Sequence, residues 1–132
     1  MQNLVGIFVL SVLALVSFAA SAHEPPVFHK AAQYEGRDLP FSTAVQVGSL
    51  LFLSGVIGTD PDTGKLAKGG IQGETRAALN DIKNTVEGLG SSMDKVVKCT
   101  VFLADIGEWA AMNEVYVTFF PNNKPARSAL GS

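Results

Sequence analysis

The residues of this chain that are best suited to chemistry lie in the stretch PARSAL, at positions 125–130. Arg127 is flanked there by small and apolar residues, whereas a solvated face normally carries lysines and glutamates. Its planar guanidinium presents donors in a fixed fork that matches a carboxylate. On a strand, Arg127 and Ala129 point to one side and their neighbours to the other. The stretch fits a pocket for a small acid, but an ion pair between subunits or a capped edge strand explains the same residues at least as well.

Metal, phosphate and nucleophile chemistry have less support in the sequence. The two histidines, His23 and His29, lie near the N-terminus without a cysteine pair, so we expect exposed surface histidines and no metal site. Copper chelation by an N-terminal His23 is chemically sound but lacks a second partner. The glycine-rich KGGIQG at 68–73 does not have the spacing of a phosphate loop. No serine lies in the G-x-S-x-G turn of a hydrolase triad.

A leader is predicted over residues 1–22, which contain no charged side chain. The apolar run from Leu4 ends in Ala20-Ser21-Ala22. This small-x-small ending is typical of a secretory signal peptide, cleaved here before His23. The alternative is an uncleaved membrane anchor, because the run is just long enough to span a hydrocarbon core. Cleavage predicts an exported, periplasmic protein that retains no membrane segment.

Length and charge limit what the rest of the chain can be. The 132 residues suffice for one domain with a hydrophobic core, and the net charge is −2. A nucleic-acid partner would need a clustered basic face, so none is expected. Cys99 is the only cysteine, which excludes an intramolecular disulfide, and its apolar surroundings favour a buried thiol.

The elements that must position Arg127 can be predicted from turn signals and apolar spacing. Residues 23–39 are proline-containing and polar, and predict an irregular N-terminal arm. TAVQVGSLLFLSGVIG at 43–58 predicts two strands that meet at the turn Gly48-Ser49. A helix is predicted over 73–92, closed by Gly88 and Gly90.

The second half of the chain alternates strand and helix patterns. The strand at 96–105 carries Val97, Cys99, Val101 and Leu103 on one face, while the other face is partly solvated or packed against a partner. A second helix is predicted over 106–120, with Trp109, Met112, Tyr116 and Phe119 as its apolar stripe. PARSAL then begins a last strand. The order β-β-α-β-α-β predicts an α+β fold with helices on one face of a sheet.

Three segments together closely resemble the Rid/YjgF family of reactive intermediate deaminases. They are FSTAVQVGSLLFLSGVIGTDPDTGKL, ETRAALNDIKNTVEGLGSSMDKVVKCTVFLAD and MNEVYVTFFPNNKPARSAL. The resemblance implies a domain over 40–132 with a chorismate-mutase-like fold, in which a mixed sheet is backed by two helices. It also implies a homotrimer with clefts between neighbouring subunits. The implied reaction hydrolyses enamines and imines, such as 2-aminoacrylate and 2-iminopropionate, to a 2-keto acid and ammonia without a metal or organic cofactor.

The resemblance also assigns candidate residues. Arg127 matches the arginine that holds the substrate carboxylate, and is the catalytic candidate. The substrate-binding candidates are Phe41, Ser54, Gly55, Asn113 and Ala129. Ser54 and Gly55 match the family's S-G-Q-I stretch, and Asn113 matches an asparagine of the second helix.

This sequence departs from the family pattern at several positions. Phe41 stands where many active members have tyrosine, Val56 replaces a glutamine, and Ala129 stands where several deaminases have cysteine. The family's last strand, which carries a glutamate that orients water, has no counterpart before Ser132, so we expect a domain with its last strand missing. These departures motivate an alternative, a non-catalytic trimer that binds small carboxylates or acts as a chaperone for unfolded chains.

The predicted leader has a direct test. When the full chain is expressed with an intact export system, we expect the exported protein to begin at His23, because the peptidase recognises the small residues at Ala20 and Ala22. N-terminal sequencing and the intact mass measure this. A full-length chain held in the membrane fraction would instead support the anchor.

Overall fold

The computed structural model describes residues 24–32 and 36–132. The predicted signal peptide at 1–22 and the cleavage site before His23 lie outside these residues. The described part is an α+β domain, as predicted. Its elements are β1 (Val27–Lys30), β2 (Ser42–Val47), β3 (Leu50–Leu53), α1 (Gly70–Gly88), β4 (Lys98–Leu103), α2 (Trp109–Phe119) and β5 (Ala126–Gly131). Short 3-10 turns, Met93–Lys95 and Ile106–Glu108, precede β4 and α2.

β2 and β3 form the hairpin that the sequence predicts at Gly48-Ser49. The strands pair antiparallel, with Val47 opposite Leu50. Gly48 has a φ of 56°, in the left-handed region that glycine adopts without strain. The tight turn therefore fixes the register of the two strands.

β1 corrects the prediction of an irregular N-terminal arm over 23–39. Val27–Lys30 pairs antiparallel with β2, and Phe28 lies opposite Val45. The pairing has a register irregularity between His29 and Lys30. Two prolines directly precede the strand, where their missing N–H groups remove no hydrogen bond from the ladder. A strand this short gives no clear signal in its own sequence, and it is recognised only when the strand that it pairs with is known.

α2 joins the two strands of a separate parallel pair, β4 and β5. Cys99 lies opposite Arg127, and Val101 lies opposite Ala129. Parallel neighbours need a crossover connection, which α2 supplies. Antiparallel and parallel pairing both occur, as expected for a mixed arrangement. They are divided between a three-stranded sheet, β1-β2-β3, and the two-stranded β4-β5 sheet.

α1 begins at Gly70, within the glycine-rich KGGIQG stretch, and ends as the sequence predicts. The Ser91 N–H donates to the Val86 carbonyl at 2.8 Å, and the Gly90 N–H donates to the Glu87 carbonyl at 3.1 Å. Gly90 has a φ of 78°. These two bonds form a Schellman closure, in which glycine takes the left-handed position after the helix.

The core lies where both helices pack against β4. Its buried residues are Leu79, Val86, Met93, Leu103, Met112, Tyr116 and Phe120. The predicted inner face of β4 is confirmed at Cys99 and Val101, which are half-buried, and at Leu103, which is buried. It is wrong at Val97, which precedes the strand and is 73% exposed. The predicted stripe of α2 needs one change, because Trp109 is 38% exposed and lies outside the core cluster.

The outer faces of both sheets are apolar and exposed. Phe28, Val45 and Phe52 align in one row across the three-stranded sheet, and the two phenylalanines are 66% and 58% exposed. On the second sheet Phe102 lies opposite Leu130, and they are 78% and 52% exposed. Large exposed apolar patches usually mark interaction surfaces.

Among the described residues, neither α1 nor α2 combines the length and apolar character that crossing a bilayer requires.

The position of α2 over β4 can be tested through Met112, which is 1% exposed. Met112→Ala should lower the free energy of unfolding by about 2–5 kcal/mol, because it leaves a cavity in the core. Val117→Ala on the same helix is the control, since Val117 is 46% exposed and should cost much less. Denaturant unfolding measures both. Equal losses would contradict the described packing of α2.

Candidate functional site

The side chain of Arg127 leaves β5 on the face that is covered by α2. Along β5, Arg127 and Ala129 are half-buried while Ala126, Ser128 and Leu130 are exposed. This confirms the predicted division of the strand into two faces. Lys98 on the neighbouring strand donates to the Ser128 hydroxyl at 2.7 Å, on the opposite face from Arg127. Arg127 therefore points into the domain rather than out from it.

Three side chains of α2 meet the guanidinium of Arg127. Its Nη1 donates to Oδ1 of Asn113 at 2.6 Å. Its Cζ lies 4.7 Å from the ring centroid of Trp109 and 4.6 Å from that of Tyr116, within the range of cation–π attraction. Trp109, Asn113 and Tyr116 follow at intervals of four and three residues, so one helix face presents all three.

The charge of Arg127 has no anionic partner within the described part of the chain. No Asp or Glu of residues 24–32 and 36–132 forms an ion pair with it. Asn113 occupies one of the five N–H donors of the guanidinium, and its Cζ lies over the two rings. An arginine held in this way can still bind a carboxylate with the rest of its fork.

Tyr116 is a neutral partner of Arg127. It is 6% exposed, and burial is the main reason that its pKa rises well above the usual 10.0. The Cys99 side chain raises this pKa further, while the positive charge of Arg127 lowers it. Among the described residues the phenol has no partner with hydrogen-bond geometry, so we attribute the rise to burial more than to a bond with Cys99. The ring remains an uncharged π surface at physiological pH.

Ser54, Gly55 and Phe41 form a second group, at the end of β3. The Ser54 hydroxyl donates to the Ser42 carbonyl at 2.7 Å, and the Ser54 N–H donates to the Thr43 carbonyl at 3.0 Å. These bonds tie the end of β3 to the chain that follows Phe41. Phe41 is 52% exposed, and a side chain at Gly55 would meet open space. The group thus faces solvent in the single chain.

The structure brings the candidate residues together in two groups rather than one. Arg127, Asn113 and Ala129 lie between β5 and α2, whereas the second group lies beside β2 and β3. Within residues 24–32 and 36–132, no hydrogen bond joins one group to the other. In the single chain the two groups are therefore separate.

Trp109 and Tyr116 contact Arg127 and are further functional candidates, although the sequence places them only in the apolar stripe of α2. Their distinguishing signal is the spacing to Asn113, which sets two aromatic rings on either side of a polar residue on one helix face. Spacing alone does not separate a ring that packs in the core from a ring that contacts a cation.

The prediction that both histidines are exposed on the surface needs one correction. His29 lies in β1 and its Nε2 is buried without a hydrogen-bond partner in the described part of the chain, so it is not an exposed surface histidine. The reason is that β1 pairs with β2 instead of remaining irregular. His23 lies outside the described residues. In the part that is described, no three side chains of the metal-binding types His, Cys, Asp and Glu gather in one place.

Comparison with known proteins gives consistent similarities. A family model described as "Endoribonuclease L-PSP" matches residues 36–132, a range that includes both groups of candidate residues. A RutC family protein of Pyrococcus horikoshii is 45% identical over 91 residues, which cover 69% of this chain and 72% of that protein. A Mus musculus protein named 2-iminobutanoate/2-iminopropanoate deaminase is 40% identical over 90 residues, covering 68% of this chain and 67% of that protein. The crystal structure of E. coli TdcF with bound serine has a TM-score of 0.66 and 31% identity, with 80% of each chain covered.

The raised pKa of Tyr116 predicts how stability depends on pH. An unfolded tyrosine ionises near pH 10, whereas the folded protein keeps this phenol protonated. The stabilisation is therefore complete below pH 10, and the free energy of unfolding falls by up to about 1.4 kcal/mol per pH unit above it. Denaturant unfolding between pH 8 and 12 should show this extra loss in the wild type and not in Tyr116→Phe. Parallel curves for the two proteins would contradict the buried, neutral phenol.

Proposed function

Because this chain belongs to the endoribonuclease L-PSP family, which includes the Rid/YjgF proteins, we propose that it hydrolyses 2-imino acids and their enamine tautomers to 2-keto acids and ammonia. The proposal rests above all on Arg127. Its guanidinium is half-buried and oriented by neutral side chains, and no carboxylate of the described residues neutralises it. Such a cation suits a small substrate that carries its own carboxylate.

The reaction itself needs little beyond correct placement. The carbon of a protonated imine is already electrophilic, so a water oxygen can form the new C–O bond once the carbon is held beside it. A proton then passes from that oxygen to the nitrogen, and the C–N bond breaks. The remaining hydroxyl proton passes to the departing ammonia as the keto group forms, so the products are the keto acid and ammonium. Binding the carboxylate at Arg127 fixes the position of the imine carbon, and this lowers the entropic part of the barrier.

Small polar groups complete the proposed site. Asn113 lies beside Arg127, and the Ser54 hydroxyl lies at the end of β3, where each can orient a water or the substrate nitrogen. The similar TdcF structure holds serine, an amino acid that carries a nitrogen on the carbon next to its carboxylate, as the proposed substrates do. The Mus musculus relative is named for the deamination of two such 2-imino acids. Both similarities support a small amino-acid-like substrate.

The proposed active form is a homotrimer. The two groups of candidate residues are incomplete walls in one chain, and a cleft between neighbouring copies would let one copy supply Arg127 and the next supply Ser54 and Phe41. The exposed rows on both sheets, with Phe28, Phe52 and Phe102, supply apolar surface of the kind that subunit contacts bury. Assembly thus serves both the solubility of the chain and the site.

Two further features belong to the proposal. The uncharged leader supports export, so the substrates would be imines that reach the periplasm. The family description refers to RNA cleavage, but a chain with a net charge of −2 lacks the basic excess that typically accompanies nucleic-acid binding. We therefore favour a small carboxylate over RNA as the ligand.

A second candidate function is carboxylate binding without turnover. It is favoured by Ser54, whose hydroxyl proton already bonds to the Ser42 carbonyl, and by the apolar residues Phe41 and Ala129 at the site. A protein of this kind would bind keto acids through Arg127 and leave the rate of imine hydrolysis unchanged.

The deaminase proposal is tested by generating 2-iminopropanoate in situ with an amino-acid oxidase and measuring its loss. The wild-type protein should accelerate the release of ammonia. Arg127→Ala should reduce the protein-dependent rate about a hundredfold or more, because each charge-assisted hydrogen bond contributes roughly 1.5–3 kcal/mol. Arg127→Lys should recover only part of it, since an ammonium cannot bind the carboxylate as a planar fork.

The control is Arg76→Ala, which removes an exposed arginine from α1, in the groove beside Thr118 and Asn122. It should retain the wild-type rate. Circular dichroism and light scattering establish that each variant is folded and assembled as the wild type is. If the wild-type protein binds pyruvate but 2-iminopropanoate is lost at the uncatalysed rate, the deaminase proposal is excluded and the binding function is supported.

A further inference from the structure

Trp109 is placed differently from every other aromatic residue of α2. It is the only tryptophan of the chain, it is 38% exposed, and it lies outside the buried core cluster. Tyr116, by contrast, is 6% exposed and belongs to that cluster. Trp109 therefore contacts Arg127 from the solvent side, while Tyr116 contacts it from the core.

This arrangement restricts how the guanidinium can rotate. The Cζ of Arg127 lies over two rings, at 4.7 and 4.6 Å from their centroids, and Nη1 is bonded to Asn113 at 2.6 Å. Rotation about the side-chain bonds would break at least one of these contacts. Four of the five N–H donors remain, and those on Nε and Nη2 form an edge that can bind both oxygens of a carboxylate.

We propose that Trp109 is a positioning residue, which holds Arg127 in the orientation that binds the substrate carboxylate, and that its indole senses this binding directly. The inference rests on the proposed function, because it assigns Trp109 to the same site. In this proposal the aromatic face of Trp109, rather than its size, determines the affinity of the site for the carboxylate.

The physical argument is that an arginine side chain loses considerable rotamer freedom when it is fixed. Without the indole, Arg127 keeps its bond to Asn113 and its contact with Tyr116, but the solvent side of its plane is unrestrained. Cation–π contacts at partly exposed sites correspond to roughly a three- to thirtyfold change in an equilibrium constant. Since the guanidinium has the same role before and during the reaction, this change should appear in KM, with kcat largely retained.

The variants Trp109→Phe and Trp109→Leu separate aromaticity from size. Both are smaller than tryptophan and apolar, but only phenylalanine offers a π face to the guanidinium. We expect Trp109→Phe to bind pyruvate, the stable keto-acid product, within about threefold of the wild type. Trp109→Leu should bind it roughly three- to thirtyfold more weakly, with a matching rise in KM for 2-iminopropanoate. Calorimetry with the full chain measures the first quantity and the in situ assay the second.

The indole emission provides a readout that a merely structural role would not produce. Pyruvate should shift the fluorescence of the wild-type protein with the same Kd that calorimetry gives, because the carboxylate changes the charge directly beside the ring. Arg127→Ala keeps the tryptophan but should lose the response. Val117→Ala, on the exposed side of α2, should retain it.

The inference is overturned if Trp109→Leu binds pyruvate like the wild type, if Trp109→Phe weakens binding as much as Trp109→Leu does, or if pyruvate leaves the wild-type emission unchanged. Its failure differs from failure of the proposed function. Suppose that the emission responds to pyruvate in a way that depends on Arg127 and on the aromatic face, while imine hydrolysis is not accelerated. That result supports the role of Trp109 and contradicts only the proposed catalysis.

Discussion

The site depends on keeping a half-buried cation charged and available. A guanidinium taken partly out of water loses hydration, and a carboxylate partner would offset that loss but also occupy the donors. Here the loss is offset by two aromatic faces and one amide oxygen, from Trp109, Tyr116 and Asn113, none of which carries charge. The burial that keeps the phenol of Tyr116 protonated is part of the same arrangement, because a phenolate would neutralise the arginine. A cation held by neutral groups remains open to an anionic ligand.

The fold supplies this environment through the unit β4-α2-β5. Parallel pairing places Cys99 opposite Arg127, and the crossover puts one face of α2 over both strands. Tyr116 links the core to the site, since its ring lies 4.8 Å from that of Phe120 and also contacts Arg127. The packing of α2 and the orientation of Arg127 therefore depend on the same side chain. A change that shifts α2 disturbs both.

Much of this architecture could be predicted from the sequence, wherever the signal is local. The turn at Gly48, the closure of α1 at Gly90 and the two faces of the last strand all depend on residues that are neighbours in the chain. β1 cannot be predicted locally, because its pairing depends on a strand farther along the chain. The aromatic contacts of Arg127 cannot be predicted for a different reason, since the spacing of Trp109 and Tyr116 fits a core stripe equally well. Ser54 can be identified as a candidate from the sequence, but the carbonyl to which its hydroxyl donates cannot.

The register irregularity between His29 and Lys30 has a consequence for the edge of the first sheet. Successive side chains of a strand face opposite sides, so slippage of β1 by one position would exchange the faces of Phe28 and His29. The phenyl ring would then leave its row with Val45 and Phe52, and the imidazole would take its place on the outer surface. Irregularities of this kind end a ladder at a fixed point and so oppose such sliding. A single irregular step thus keeps the row of Phe28, Val45 and Phe52 continuous as far as the edge strand β1.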